Sequence, residues 1–443
     1  MLRRPGLKLS MCALIHFVLV LMLFLHFAQG WVFAQTPDEE GLRLRKQRIP
    51  KRNVAQWVAF VPITAVKFPL FIVSRGVKYT GIFIEEKALI PRTRDLLTSD
   101  DRLIALYPTA SLGGRAGLSG ELNFFDKRFP RKGNRLSLQA GFSTNSHQNH
   151  YIRYRIPEMF GLMHLDTRVR YHVKTNEDFF GIGNKSDRGG RTNFRHEELG
   201  GELKVGASWT KWFRTRILVD YTDHVIEDGD ETYDSALDKF DLQTTPGLDG
   251  AALLGAGGSV AFDTRDSDFY PSKGSLAEFS AIVFNQTDGD DYGFTRYKLE
   301  LSHCLTLFRT GRILAVRLSG EINTRLSDDK DTPFFERANL GGATDLRGYS
   351  TGRFRDKDLI LLNVEYRYPL WEAHRDRRGA MDAVVFVDIG RVFNDLQEDT
   401  FSDYKTSYGI GIRARTVEEF IFRAEIARSE EETNLILKFE PMF

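Results

Sequence analysis

Residues 165–174 read LDTRVRYHVK, and polar and apolar side chains alternate along them. The polar positions are Asp166, Arg168, Arg170, His172 and Lys174, separated by apolar positions that include Leu165, Val169, Tyr171 and Val173. Residues 296–307, RYKLELSHCLTL, repeat the pattern. A period of two is typical of a β-strand with one charged and one apolar face.

The alternation begins near residue 103 and continues to the end of the chain. It predicts sixteen strands, at residues 103–112, 115–125, 134–143, 150–157, 162–174, 198–210, 213–226, 252–264, 274–285, 293–308, 311–326, 358–370, 381–394, 406–415, 419–428 and 433–442. Soluble sandwiches also alternate, but their strands are usually shorter. Long strands and abundant aromatic residues favour an all-β fold, a 16-stranded antiparallel transmembrane β-barrel, whose closure leaves no edge unpaired in lipid.

The connections between these strands alternate in length. Those after even-numbered strands are mostly tight, such as 158–161 and 308–311. The three longest connections follow odd-numbered strands, at 175–197, 227–251 and 327–357. Bacterial barrels have short periplasmic turns and long outer loops, so both termini are expected in the periplasm. Three tryptophans near predicted periplasmic turns are candidates for an interfacial girdle: Trp209, Trp212 and Trp371.

The N-terminal region has a different composition. Residues 1–34 combine basic residues with an apolar run from Met11 to Phe27, which predicts a signal peptide, with a membrane anchor as the alternative. Residues 35–102 contain apolar positions at helical spacing, interrupted by Pro62 and Pro69. We expect short amphipathic helices in the periplasm there, at the mouth of the barrel or on the membrane; a compact helical cap is the alternative.

Composition and motifs argue against several classes of function. The net charge of +1 gives no basic excess for nucleic acid. Cys12 lies in the predicted signal peptide, so Cys304 is left without a disulfide partner, and no familiar spacing predicts a metal site. We find no nucleophile elbow, zinc-protease motif or phosphate loop, and His147 and His150 are interpreted as polar loop residues. The sequence therefore predicts no enzyme, no catalytic residue and no cofactor.

One loop arginine stands out, in residues 336–349, ERANLGGATDLRGY. Arg347 in this glycine-rich segment could form an anion site, belong to a surface turn, or anchor the loop to acidic partners. Alternation places Glu365 on the charged face of one predicted strand and Asp388 on that of the next. A forked guanidinium can bridge two carboxylates, so we favour the anchor.

Several of these segments resemble motifs of the BamA/TamA superfamily, the bacterial surface-antigen barrels of outer-membrane assembly and two-partner secretion. The resemblance covers residues 103–443. The matching segments are GGATDLRGY at 341–349 with Arg347, Gly348 and Tyr349, the strands of Glu365 and Asp388, Asp263-Thr264-Arg265-Asp266 followed by Pro271 and Gly274, and FFGIGN at 179–184. The C-terminal strand, with Phe439 and Phe443, resembles the recognition signal of outer-membrane barrels, although Pro441 departs from a regular strand.

The resemblance implies a location in the bacterial outer membrane and a role in protein insertion or translocation. It implies that the sixth outer loop folds into the lumen and is held by Arg347 on Glu365 and Asp388. The expected partners are outer-membrane lipid, client outer-membrane or secreted proteins, and periplasmic accessory proteins. Family members usually carry several periplasmic polypeptide-transport modules, and residues 35–102 are too short for a series of them. A channel or a lipid or solute pore is the alternative, because charged residues line the predicted lumen.

Overall fold

The computed structural model describes residues 99, 101, 103–113, 116–230, 232–268, 270–307, 311–372, 379–395, 403–416 and 421–438. The predicted signal peptide, nearly all of the predicted helical segment 35–102, and both C-terminal phenylalanines, Phe439 and Phe443, lie outside these residues.

Eighteen strands are present in the described residues. Their bounds are β1 Ile104–Gly113, β2 Gly117–Asp126, β3 Arg135–Ser143, β4 Gln148–Met159, β5 Met163–Phe179, β6 Thr192–Ser208, β7 Phe213–Asp228, β8 Ala251–Asp263, β9 Gly274–Gln286, β10 Gly293–Leu307, β11 Arg312–Arg325, β12 Ala338–Leu340, β13 Phe354–Asp356, β14 Asp358–Glu372, β15 Gly379–Phe393, β16 Lys405–Thr416, β17 Ile421–Arg428 and β18 Thr433–Lys438. Helical structure there is limited to one α-turn, α1 Ala236–Lys239, and two 3-10 turns, Arg188–Gly190 and Phe334–Glu336. None of these helices is long and apolar enough to cross a membrane.

Sixteen strands form a single antiparallel sheet, in the order β1 to β11 followed by β14 to β18. Each strand of this sheet pairs with the next strand of the same sheet along the chain. This pairing confirms the predicted all-β fold and its sixteen strands. The other two strands, β12 and β13, form a separate small hairpin inside the connection from β11 to β14. These three-residue strands are too short to show a period in the sequence.

Strands β5 and β6 extend furthest beyond their predicted bounds. β5 continues past Lys174 to Phe179, and β6 begins at Thr192 rather than at residue 198. The pairing of β5 with β6 shifts register between Lys174 and Glu177, which is the signature of a β-bulge. The extra residue breaks the alternation, so the sequence of β5 after Lys174 does not show the pattern of a strand.

The sheet exposes apolar side chains and buries polar ones, which is the reverse of a soluble protein, and β7 is an example. Ile217 is 69% exposed and Val219 and Tyr221 are also exposed, whereas Thr222 is 3% and His224 5% exposed on the opposite face. Large exposed apolar side chains occur at alternate positions of many other strands. One face is thus apolar and uncovered, and the other is polar and buried, which is the arrangement of a sheet that faces lipid.

The connections contribute to the apolar core, because they pack on the charged face of the sheet and bring apolar side chains with them. One cluster joins the β11–β14 connection to β14 and β15 and comprises Ala338, Leu340, Leu346, Tyr349, Phe354, Leu359, Leu361 and Val392. A second joins it to β5, β6, β7 and the β7–β8 connection and comprises Phe179, Phe194, Ile226, Ala236, Leu248 and Phe334. The β11–β14 connection is therefore a packed element.

Candidate functional site

Arg347 is buried against three carboxylates of the sheet. Its Nε and Nη2 donate to Asp388 Oδ2 and Oδ1 at 2.9 and 2.6 Å, and its Nη1 donates to Glu365 Oε1 at 2.8 Å. Glu425 Oε2 lies 3.4 Å from the same Nη1. The four side chains are fully buried. The fork-shaped donor set thus joins β14, β15 and β17 through one side chain.

Phe386 completes the pocket of Arg347. The centre of its ring lies 3.3 Å from Arg347 Cζ, so the guanidinium meets a π-face as well as carboxylate oxygens. Asp388 also accepts hydrogen bonds from the Arg347 backbone N–H at 3.2 Å and from Ser407 Oγ and Asn363 Nδ2, both at 2.9 Å. The carboxylate that holds the loop is therefore itself held by neighbouring strands.

The ion pairs continue along the sheet. Arg413 Nη2 lies 2.6 Å from Glu365 Oε1 and 2.8 Å from Glu425 Oε1. Arg367 Nε donates to Glu365 at 3.1 Å, and Arg423 Nη2 donates to Glu425 at 2.8 Å. Including Arg347, four buried guanidiniums share three buried carboxylates. A dry network of this kind is costly to break, because removing one member leaves a charge without its partner.

Gly348 follows Arg347 where the loop backbone meets β16 and β17. A Cβ atom there would lie 2.7 Å from the Arg428 carbonyl carbon and 2.8 Å from both Ser407 Cβ and Ser429 N. Ser429 Oγ donates to the Gly348 carbonyl at 2.7 Å. A side chain does not fit in this contact, so glycine is required for the close approach.

Tyr349 is buried beside Phe354, with 5.2 Å between their ring centres. Its hydroxyl is 3.4 Å from Glu430 Oε1, and burial together with Glu430 and Glu431 raises its pKa above the ordinary tyrosine value. One further contact reaches the last strand, where Asn434 Nδ2 donates to the Arg347 carbonyl at 3.2 Å. Arg347, Gly348 and Tyr349 therefore contact five consecutive strands, β14 to β18, or the turns between them.

The base of the loop is fixed to other connections. Arg353 donates to Glu431 at 2.7 and 2.8 Å and to Ser186 Oγ at 2.9 Å. The FFGIGN segment at 179–184 lies here too, because the Gly183 N–H donates to the Arg355 carbonyl at 2.7 Å. Contacts with several connections thus hold the hairpin β12–β13 in place.

The turn motif between β8 and β9 forms a separate cluster. Asp263 accepts from Arg265 at 2.9 and 2.8 Å, and Asp266 accepts from the Ser272 N–H at 2.8 Å. Gly274 has φ +98°, and a Cβ there would lie 2.3 Å from the Thr264 carbonyl oxygen. The motif reaches the Arg347 network through Arg367, whose Nη1 donates to the Pro271 carbonyl at 3.0 Å.

The structure therefore brings together Arg347, Gly348, Tyr349, Glu365 and Asp388. It keeps Asp263, Arg265, Asp266 and Gly274 in the neighbouring turn, while Phe439 and Phe443 are outside the described residues. The other members of the network, Arg413, Arg423 and Glu425, were not predicted from the sequence. Their alternation within β16 and β17 was a usable signal, because it places them on the charged face.

A second group of residues that was not predicted from the sequence could hold a metal ion. His196, Glu198 and His224 each offer one ligand atom, and these atoms lie within 4.8 Å of one another. The residues belong to β6 and β7, away from Arg347. The sequence predicted no metal site because their separation along the chain follows no familiar motif.

These features define a class of protein: a sixteen-stranded antiparallel sheet with an exposed apolar face and a long, ordered loop on its charged face. Residues 122–428 match the Omp85 superfamily domain. This match spans most of the chain, which therefore belongs to the Omp85 superfamily and to the bacterial outer membrane.

Solved structures with a similar fold include BamA from Haemophilus ducreyi lacking POTRA domains 1–3, with a TM-score of 0.56 and 14% identity over 76% of this chain and 69% of that one. CdiB from Escherichia coli has a TM-score of 0.49 and 12% identity, over 75% of this chain and 60% of its own. CdiB from Acinetobacter baumannii has a TM-score of 0.45 and 11% identity, over 76% of this chain and 63% of its own. The chain thus spans less than two thirds of either CdiB. No match was found among curated proteins.

Proposed function

We propose that this protein inserts or translocates client polypeptides at the outer membrane. In this proposal the sheet closes into a barrel between β1 and β18, the β11–β14 connection folds into the lumen, and Arg347 holds it there. The role requires no covalent chemistry, and outer-membrane lipid, client proteins and periplasmic accessory proteins are the proposed partners.

The complete burial of Arg347 among Glu365, Asp388 and Glu425 is the observation that carries the proposal. A surface turn would leave the guanidinium in water, and an open anion site would leave part of its fork free. An arginine shared by three strands instead fixes the loop relative to the wall. A wall that must move locally while a client passes needs such a fixed element to keep its shape.

The seam between β1 and β18 supplies the proposed site of client entry. No ladder hydrogen bonds join these two strands in the described residues, although some of their Cα atoms lie within 8 Å of one another. The described part of β18, Thr433–Lys438, is also the shortest strand of the sheet. A weak seam exposes two strand edges, and a strand edge is a template for an incoming β-strand.

A reversible lock of the seam tests the proposal. Cysteine pairs would be introduced between 104–109 and 433–438 in a Cys304→Ala background, since Cys304 is a buried free thiol. The oxidised protein in liposomes should fail to accelerate the folding of a urea-denatured outer-membrane protein, and reductant should restore the acceleration. Cysteine pairs across β3 and β4 serve as the matched control. Equal acceleration by the locked protein would contradict entry through the seam.

A passive channel is the second candidate, favoured by a cavity beside the loop. The cavity has a volume of about 470 Å³ and is lined by charged side chains that include Arg296, Glu300, Arg317 and Asp345. Conductance in planar bilayers separates the two functions. A steady open current from the complete protein supports the channel, whereas a current that appears only after deletion of residues 327–357 supports a loop that fills the lumen.

A further inference from the structure

Two histidines and a glutamate converge on the charged face of β6 and β7. Glu198 is paired with His224 across the two strands, and His196 lies two residues before Glu198, on the same face. Both histidines are buried, and one nitrogen from each lies with a Glu198 oxygen inside a 4.8 Å limit. An i, i+2 pair with a cross-strand neighbour thus directs three metal-ligating groups to one point.

The two imidazoles stand in a row between two carboxylates. His196 Nδ1 is 3.3 Å from Glu177 Oε2, His196 Nε2 is 3.0 Å from His224 Nδ1, and His224 Nε2 is 3.3 Å from Glu336 Oε1. Each contact needs one hydrogen, but two neutral imidazoles carry only two. The row therefore lacks one hydrogen. Consistent with this count, His224 Nε2 is buried and has no hydrogen bond of good geometry.

We propose that His196, Glu198 and His224 bind one divalent transition-metal ion of the Zn²⁺ class. The ion would replace the hydrogen between the two rings and be ligated by His196 Nε2, His224 Nδ1 and a Glu198 oxygen. His196 Nδ1–H would then donate to Glu177, and His224 Nε2–H to Glu336. Every ring nitrogen would be satisfied, in the carboxylate–histidine–metal arrangement that orients imidazole ligands in metalloproteins.

The distances suit such an ion. Zn–N bonds of about 2.0–2.1 Å at a tetrahedral angle separate two nitrogens by about 3.3 Å, slightly more than the 3.0 Å between the rings. His172 is a neighbour of this group, since its Nδ1 lies 3.8 Å from Glu198 Oε2.

The surrounding charges favour selectivity for a transition metal. Glu177 is paired with Lys174 at 3.0 Å, and Glu336 with Arg296 at 2.7 Å, so the outer carboxylates are already neutralised. The site therefore offers directed nitrogen ligands without an excess of negative charge. Imidazole ligands suit Zn²⁺, Co²⁺ or Ni²⁺, whereas Ca²⁺ and Mg²⁺ prefer oxygen ligands.

The ion would act on the β11–β14 connection at a place separate from Arg347. Glu336 ends the 3-10 turn at 334–336, and Phe335 stacks on His224 with 4.4 Å between ring centres. Glu177 also accepts from Arg355 at 3.1 Å, where β13 ends the hairpin. Both outer carboxylates thus connect the site to the base of the loop, so a bound metal would hold this base on the wall.

Cobalt titration of the complete purified protein in detergent, with any affinity tag removed, tests the site. We expect visible d–d absorption that saturates at one equivalent of Co²⁺ and is displaced by Zn²⁺ but not by Ca²⁺. His224→Ala and Glu198→Gln should each weaken binding by about a hundredfold or more. Glu336→Gln keeps the three ligands and should weaken it by about 10–100-fold, as expected for an outer-shell partner.

His150→Ala is the matched control, because His150 is a partly buried strand histidine outside this group and its loss should leave the titration unchanged. Circular dichroism and heat-modifiable migration in gels establish that each variant is folded. No saturable absorption in the natural protein, or equal affinity in folded His224→Ala, would overturn the site. If ligand variants misfold, the Glu336→Gln titration decides, and unchanged affinity there would contradict the proposed arrangement.

Discussion

Arg413 donates to Glu365 through both terminal nitrogens, at 3.0 and 2.6 Å. Glu365 therefore has a cation that belongs to the sheet, in addition to Arg347 from the loop. Asp388 differs, because in the described residues no other arginine or lysine lies within salt-bridge distance of it. Loss of the loop arginine should thus leave the Asp388 charge uncompensated while Glu365 stays paired.

For Arg347→Ala we expect the β11–β14 connection to lose its attachment while the sheet stays folded. Breaking a buried ion pair costs about 3–5 kcal/mol, and the lower end applies because Glu365 retains Arg413. Hydrogen exchange of residues 336–349 measures the loss as faster local opening. Arg347→Lys is the control: it keeps the charge but lacks the fork, so its opening should be intermediate. If residues 336–349 of Arg347→Ala exchanged hydrogen as slowly as those of the natural protein, the result would contradict the anchoring role.

Asp388→Asn and Glu365→Gln should affect different parts of the protein. The first removes the main partner of Arg347 and should mainly raise exchange in the loop. The second disturbs Arg367 and Arg413 as well, so it should lower the thermal unfolding temperature of the whole sheet. Measuring both quantities in both variants gives the comparison, and identical profiles would show that the two carboxylates do not have separate roles.

Gly348→Ala should displace the loop, because the new methyl group would overlap the Arg428 carbonyl carbon and Ser429 N. We expect a cost of about 1–3 kcal/mol, typical of overpacking, seen as faster proteolysis of the loop. Gly201→Ala is the matched control, since a Cβ there has no atom within 4 Å. Equal proteolysis of the two variants would contradict the close contact.

Attachment of the loop should weaken as the pH rises from about 4 to about 6. Burial, assisted by Glu300 and Asp388 and opposed by Arg317, raises the pKa of Asp345 to about 6 from the ordinary aspartate value of 3.8. The attached loop therefore binds a proton more tightly than the released loop, so attachment is favoured at low pH and this contribution is lost by pH 6. Hydrogen exchange, corrected for its intrinsic pH dependence, measures the effect.

Asp345→Asn removes this ionisation. The variant should hold the loop more firmly than the natural protein above pH 6 and should lose the change between pH 4 and 6. An unchanged pH profile would show that another group is responsible.

The sheet was predictable because each strand carries its own period-two signal. β10 and β11, for example, begin and end within a residue of the predicted bounds. The bulge after Lys174 was not predictable in this way, since it interrupts the period on which the prediction depends. The hairpin of β12 and β13 follows from packing, which short segments do not encode locally.

The site was only partly predictable for a related reason. Arg347, Glu365 and Asp388 were found from a loop motif and from the faces of adjacent strands. His196, Glu198 and His224 become neighbours only when the register of β6 on β7 is known, and a shift of one residue would separate Glu198 from His224. The roles of Arg413 and Arg423 likewise become evident only when the carboxylates that face them are known.

Asn434 belongs to β18, the terminal strand of the sheet, and its amide donates to the carbonyl of Arg347. Peeling β18 away from β17 would therefore break a hydrogen bond to the residue that holds the loop. Movement of the sheet edge and the position of the loop are coupled through this bond. A force that moves this edge strand would therefore act on the backbone of Arg347, at the centre of the ion-pair network.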